Sequence, residues 1–131
     1  MKSAFFALAL SASLVATVPA VAHHSFASEF DIKRAVTLQG PVTKLEWTNP
    51  HAFVFIDVKD DQGKVQNWAV ELVGINDLLR LGWGRNKVKI GDVLSVEGYG
   101  ARNGSTKANA TSATLTATGE LLWKSATRGE Q

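Results

Sequence analysis

The chain has 131 residues, 14 Lys and Arg against 12 Asp and Glu for a formal net charge of +2, and no cysteine. The length fits one compact domain behind a short leader. The absence of cysteine excludes disulfides, thiol chemistry and a thiolate zinc site, and so small a positive excess provides no electrostatic footprint for nucleic acid.

The N-terminus opens on basic Met1-Lys2, continues as an apolar run from Ala4 through Val18 with small polar interruptions, and breaks at Pro19. Ala20-Val21-Ala22 then offers small residues at the −3 and −1 positions of a peptidase site. This pattern predicts a secretory signal peptide over residues 1–22, cut after Ala22. A membrane anchor fits less well, because the run falls short of the roughly 20 apolar residues a spanning helix needs. The processed protein would begin at His23, be periplasmic or secreted, and carry no membrane segment.

Residues 23–34 form a polar leading segment in which Phe26 and Phe30, four apart, suit one helical turn or two anchors onto the domain. A long bent first strand is expected from about Ala35 to Trp47, with Gly40-Pro41 as the bend, since Gly marks bulges and Pro lacks a ladder donor. Thr48-Asn49-Pro50-His51 is a turn. A second strand, Ala52 to Lys59, alternates Phe53, Phe55 and Asp57 against Val54, Ile56 and Val58. Asp60-Asp61-Gln62-Gly63 connects it as a hairpin to a third strand, Val65 to Val73, alternating Trp68, Val70 and Leu72 against Asn67, Ala69 and Glu71.

Ile75, Leu78, Leu79 and Gly82 follow helical spacing, with Asn76 or Asp77 as the cap and a stop at Gly82 or Gly84. Strand four is expected from Val93 to Tyr99, and strand five from about Asn109 to Thr116. Leu121-Leu122-Trp123 is a final apolar segment. Five strands with one short helix between the third and fourth give an all-β chain in the order of a small five-stranded OB-like Greek-key barrel, with a small β-sandwich as the alternative. The expected domain spans 23–124, followed by a disordered tail at 125–131. The expected core comprises Val42, Val54, Ile56, Val58, Trp68, Val70, Leu72, Leu78, Val93 and Val96.

Several blocks carry a resemblance: Ala22-His23-His24-Ser25-Phe26, then Gly40-Pro41-Val42-Thr43-Lys44-Leu45-Glu46-Trp47-Thr48-Asn49-Pro50-His51, then Asn67-Trp68-Ala69-Val70-Glu71, then Gly91-Asp92 and Val96-Glu97-Gly98-Tyr99. Over nearly all of the processed chain they resemble a family of small exported bacterial proteins that forms a domain of unknown function. The resemblance implies export and a small barrel-like domain, and no activity.

The candidate chemistry lies in the histidines. Cleavage after Ala22 would give His23 a free α-amine that, with its own imidazole, can chelate one metal; His24 adds a second imidazole. Nitrogen-rich tetragonal sites suit Cu(II), which leads the divalent affinity order. His51 can join them, and so can Glu71. Pairing through the Asp61-Gln62 turn puts His51 and Glu71 on one sheet face as diagonal neighbours, about 7–8 Å apart at the backbone. Glu71 there serves as ligand, as a partner behind the imidazole, or as an acid–base group. Against this, the His-His start can be a flexible terminus, His51 a turn residue and Glu71 a solvated strand residue.

Trp68 alternates with core residues, while Trp47 and Trp83 either flank a groove or plug a barrel end. The basic run Arg80, Arg85, Lys87 and Lys89 reads as a solvated face. No phosphate loop or nucleophile elbow occurs, and no catalytic residue is assigned. The leading expectation is an exported binding or accessory protein that takes copper. The alternative is an OB-like interaction module for a protein, peptide or glycan with incidental histidines. An enzyme built on the terminal histidine is weakest, because coordinating nitrogens alone define no substrate site.

Overall fold

A computed structural model of the chain describes residues 26–125. The expected leader at 1–22, the candidate ligands His23 and His24, and residues 126–131 of the expected tail lie outside them. The elements run α1 Phe26–Glu29, β1 Phe30–Glu46, β2 Phe53–Lys59, β3 Val65–Glu71, α2 Ile75–Arg80, β4 Val93–Ala101, β5 Lys107–Leu115 and β6 Glu120–Lys124. Strand order is β3-β2-β1-β4-β5-β6, and a parallel ladder between β3 and β5 closes the first five strands on themselves. Five strands closed in this order, with a helix between the third and fourth, make the OB-like barrel. The apolar segment at Leu121–Trp123 lies within a sixth strand, which pairs antiparallel with the second half of β5.

The first strand is longer than its alternation suggested, beginning at Phe30 rather than Ala35. It serves both halves of the barrel: Ala35 to Pro41 pair with β4, and Val42 to Glu46 pair with β2. The handover occurs at Gly40, where an added Cβ would lie 1.8 Å from the Asp57 carbonyl oxygen. Only glycine lets the β1 backbone approach β2 this closely.

Val54, Ile56, Val70 and Leu72 point into the barrel and are buried, with Val58 and Trp68 packed partly buried against them. On β4 the inward residues are Leu94 and Val96, followed by Gly98 and Gly100; Val93 is half-buried, a correction to the expected core. Two inward glycines weaken the apolar alternation there, so the phase of β4 was hard to read from composition.

Helix α2 is capped differently from expectation. Its N-cap is Gly74, not Asn76 or Asp77, and the Ile75 N–H donates to the side-chain oxygen of Asn49 at 3.2 Å. Asn49 belongs to the β1–β2 turn, where its bond to Pro50 is cis, so the cap comes from a distant part of the chain. The helix ends at Gly82, whose φ of +87° is the left-handed position of a C-terminal glycine. Trp83 N–H returns to Leu78 C=O at 2.9 Å and Gly82 N–H to Leu79 C=O at 3.1 Å. This reversal carries Trp83, 1% exposed, into the barrel core beside Leu78. Of the two roles open to Trp83, the plug is the one it fills. In the basic run, Arg80 pairs with Asp77 and Lys87 with Glu120.

Candidate functional site

The β2–β3 register is the one inferred from the hairpin: Phe53 faces Glu71, Phe55 faces Ala69 and Asp57 faces Asn67. Just ahead of β2, Ala52 exchanges backbone bonds with Val73 and Leu72, and so fixes His51 beside the end of β3. The Thr48 hydroxyl donates to the His51 carbonyl at 3.2 Å and closes the turn.

His51 and Glu71 meet. His51 Nδ1 donates to Glu71 Oε1 at 2.6 Å. The His51 side chain is 34% exposed, and no described residue bonds its Nε2. Glu71 was expected to be solvated if it had no role, because its parity puts it on the outer face of the sheet. It is only 7% exposed. Burial raises the pKa of its carboxyl above the usual carboxylate value; the nearby His51 and Lys107 pull it back, and Glu29 pushes it further up.

Two residues that sequence reasoning missed complete the cluster. Lys107, the first residue of β5, stands opposite Ala69 in the closing parallel ladder, so its side chain rises on the same outer face as Phe53 and Glu71. Its Nζ lies 3.8 Å from Glu71 Oε2 and forms an ion pair with Glu29 of α1. It also sits 5.5 Å from the Phe53 ring centroid and 5.6 Å from that of Phe30. Lys107 thus links Glu71 to the start of the described chain. A sequence signal existed in the acidic Glu29 beside the Phe26/Phe30 pair, but only the β3–β5 closure brings it to Glu71.

Phe30 is 2% exposed yet takes no part in the barrel core. It belongs to a separate aromatic group, with Phe26 stacked on it at 5.5 Å and Phe26 meeting Tyr99 edge-on at 5.9 Å. The expectation that Phe26 and Phe30 anchor the leading segment corresponds to this group.

Of the four candidate metal residues, the structure brings His51 and Glu71 into contact, and His23 and His24 lie outside the described residues. Among the described residues, no group of three or more His, Cys, Asp or Glu can hold a metal ion. No helix among them is long and apolar enough to cross a membrane.

A family model described as a family of unknown function, DUF6152, matches residues 12–110. No curated protein matches the chain by sequence. Among solved structures, the chain is similar to the mitochondrial single-stranded DNA-binding protein Rim1 of S. cerevisiae, at 12% identity, 69% coverage of this chain, 94% of that chain and a TM-score of 0.47. The fold assignment rests instead on the strand order and the β3–β5 closure.

Proposed function

The chain belongs to the DUF6152 family, a family of unknown function, and from its own geometry we propose that it is an exported binding protein that takes copper(II) between its processed N-terminus and His51. One observation carries the reading: the His51 imidazole is held through Nδ1 on a buried carboxylate at 2.6 Å, and no described residue bonds its Nε2. Metal-ligating histidines are commonly braced this way, because a carboxylate behind the ring fixes the tautomer and raises the basicity of the other nitrogen.

The described residues alone supply too few donors for a metal, and the reading draws the remaining donors from the segment ahead of Phe26. Cut after Ala22, the chain would offer the His23 amine and imidazole and the His24 imidazole. With His51 Nε2 these make a nitrogen-rich set of the kind Cu(II) favours. His24 precedes Phe26 by two residues, a backbone reach of at most about 7 Å. Glu71 then acts as the brace behind His51 rather than as a ligand, since one of its oxygens is engaged by Nδ1 and the other faces Lys107.

Mass and metal content of the protein purified from the periplasm test the reading. A mass starting at His23 with stoichiometric copper supports it. A retained Met1, a start beyond His24, or failure to take up copper on dialysis removes it.

A second reading, a glycan-binding module, is favoured by the outer face of β2. The Phe53 and Phe55 rings lie 6.5 Å apart there. Beside them the Asn67 amide donates to Asp57 at 2.8 Å and to Thr43 at 2.9 Å. Aromatic faces beside fixed polar groups suit sugar rings, and this face of OB barrels holds oligosaccharides. Glycan-array binding in the presence of chelator, lost in Phe55→Ala, would support it; no retention by the intact protein would remove it.

A further inference from the structure

We propose that the outer face of β1, β4, β5 and β6 carries a saccharide site for a uronic acid, with Glu97 receiving sugar hydroxyls and Lys124 the sugar carboxylate. The site is independent of the copper reading and shares no residue with the aromatic face of β2.

A groove of about 500 Å³ crosses these four strands. In the ladders Thr37 stands opposite Glu97, Glu97 opposite Ser112, and Ser112 opposite Lys124, so the four share one row of the outer face. Two irregularities shape the groove. β1 breaks register between Phe30 and Ala35, where exposed Ile32 forms the rim. β4 and β5 break register after Glu97, which leaves Thr111 as an extra residue. Bulges of this kind re-aim side chains and recur beside functional sites. Gly98 permits this one, because an added Cβ there would lie 2.1 Å from the Asn109 carbonyl oxygen. The end of β6 is tied to the bulge: Ser125 N–H donates to the Thr111 carbonyl at 2.8 Å, and Leu122 and Trp123 are buried in the core.

The bulge gathers acceptors. The Thr111 hydroxyl donates to the Glu97 carbonyl at 3.2 Å, and the Ser112 hydroxyl donates to Glu97 Oε2 at 3.1 Å. With those protons committed, both hydroxyl oxygens and the carboxylate of Glu97 can only accept. Such a cluster takes a ligand rich in O–H or N–H donors. Two strand spacings along the row, about 9–10 Å away at the backbone, Lys124 offers only donors. No described residue forms an ion pair with Glu97 or with Lys124. The groove therefore suits hydroxyl donors at one end and an anion at the other, and Tyr99 and Ile32 add apolar surface for the C–H face of a ring. A uronic acid carries both features on one pyranose. A simple amine would satisfy Glu97 and be repelled by Lys124, and a neutral sugar would leave Lys124 without a counter-charge.

The test titrates the full chain with a galacturonic acid trisaccharide, with chelator present, and follows backbone amides by NMR. The acidic trisaccharide should bind and shift the amides of Glu97, Thr111, Ser112 and Lys124. A neutral galactose trisaccharide should bind on the order of 10-fold more weakly, the usual effect of losing a hydrogen bond to a charged group. Lys124→Met should erase that difference, and Glu97→Gln should weaken both sugars. If Glu97→Gln does not fold, Ser112→Ala releases the same carboxylate and is read the same way. Phe55→Ala and His51→Ala should leave binding unchanged. No binding of the acidic sugar, equal binding of the acidic and neutral sugars, or tighter binding of putrescine than of either overturns the proposal. Loss of binding in Phe55→Ala, with the shifts on β2, moves the sugar to the other face and overturns it as well.

Discussion

His51 Nδ1 lies 2.6 Å from Glu71 Oε1, at the point where the turn before β2 meets the end of β3, and the carboxylate behind that bond is almost fully buried. A buried acid with a raised pKa gives up its proton later in the folded than in the unfolded chain. Below the ordinary carboxylate value of 4.5 both states are protonated and the burial of charge costs nothing. As pH rises, the unfolded state ionises first, so the contribution of Glu71 to stability falls until the pH passes its raised folded value. The stability of the wild type relative to Glu71→Gln should therefore be greatest at low pH and decline through that window. Urea unfolding of both proteins from pH 4 to 7 checks the sign. A difference growing in favour of the wild type with pH would mean that His51 and Lys107 outweigh desolvation.

Trp83→Ala should destabilise the barrel by about 3–5 kcal/mol, the usual loss for a large buried aromatic. Trp83 is 1% exposed and enters the core through the chain reversal at Gly82. Equilibrium denaturation reads it directly. A loss under about 1 kcal/mol would mean that the barrel closes without the plug.

Gly40→Ala should cost about 1–3 kcal/mol or more, as overpacking does, because its Cβ would collide with the backbone oxygen of Asp57. The damage should centre on the β1–β2 ladder beside Val42, visible as faster amide exchange there. Gly84→Ala is the control: nothing lies within 4 Å of its added Cβ, so it should be close to neutral.

Much of the barrel was legible because its signals are local. Alternation in β2 and β3, with the Asp60–Gly63 connection, set the register that pairs Phe53 with Glu71, and Gly40-Pro41 marked the bend in β1. The rest depended on contacts between distant segments. Lys107 and Glu29 reach Glu71 only through the parallel β3–β5 closure, which no alternation encodes. For the same reason parity alone allowed Glu71 a wet face, although it is buried with His51 and Lys107 against it. The cap of α2 was misread because the side chain that serves it, Asn49, sits on another turn. On β4, inward Gly98 and Gly100 carry no side chain to mark the phase, which left Val93 in the place of Leu94.

Asn49→Ala should remove that distant cap and cost about 0.5–2 kcal/mol, as lost N-terminal caps do. The effect should be confined to α2, with amides from Ile75 to Leu79 exchanging faster and the β2–β3 ladder unchanged. Unchanged exchange in α2 would mean that Gly74 alone suffices to start the helix.

The central claim is that the processed N-terminus and His51 hold one copper ion together. Calorimetric titration with Cu(II) of three proteins tests it most directly: the chain beginning at His23, the same chain with one additional residue ahead of His23, and His51→Ala. The account predicts the tightest binding for the first. The additional residue converts the His23 amine to an amide and removes a donor, and His51→Ala removes another, so both should bind more weakly. Glu71→Gln, which keeps His51 and alters only its brace, should lose on the order of 10-fold to 100-fold at most. Equal affinity in all three proteins would contradict the shared site and leave the His-His start as a terminus that binds copper, if at all, without the barrel.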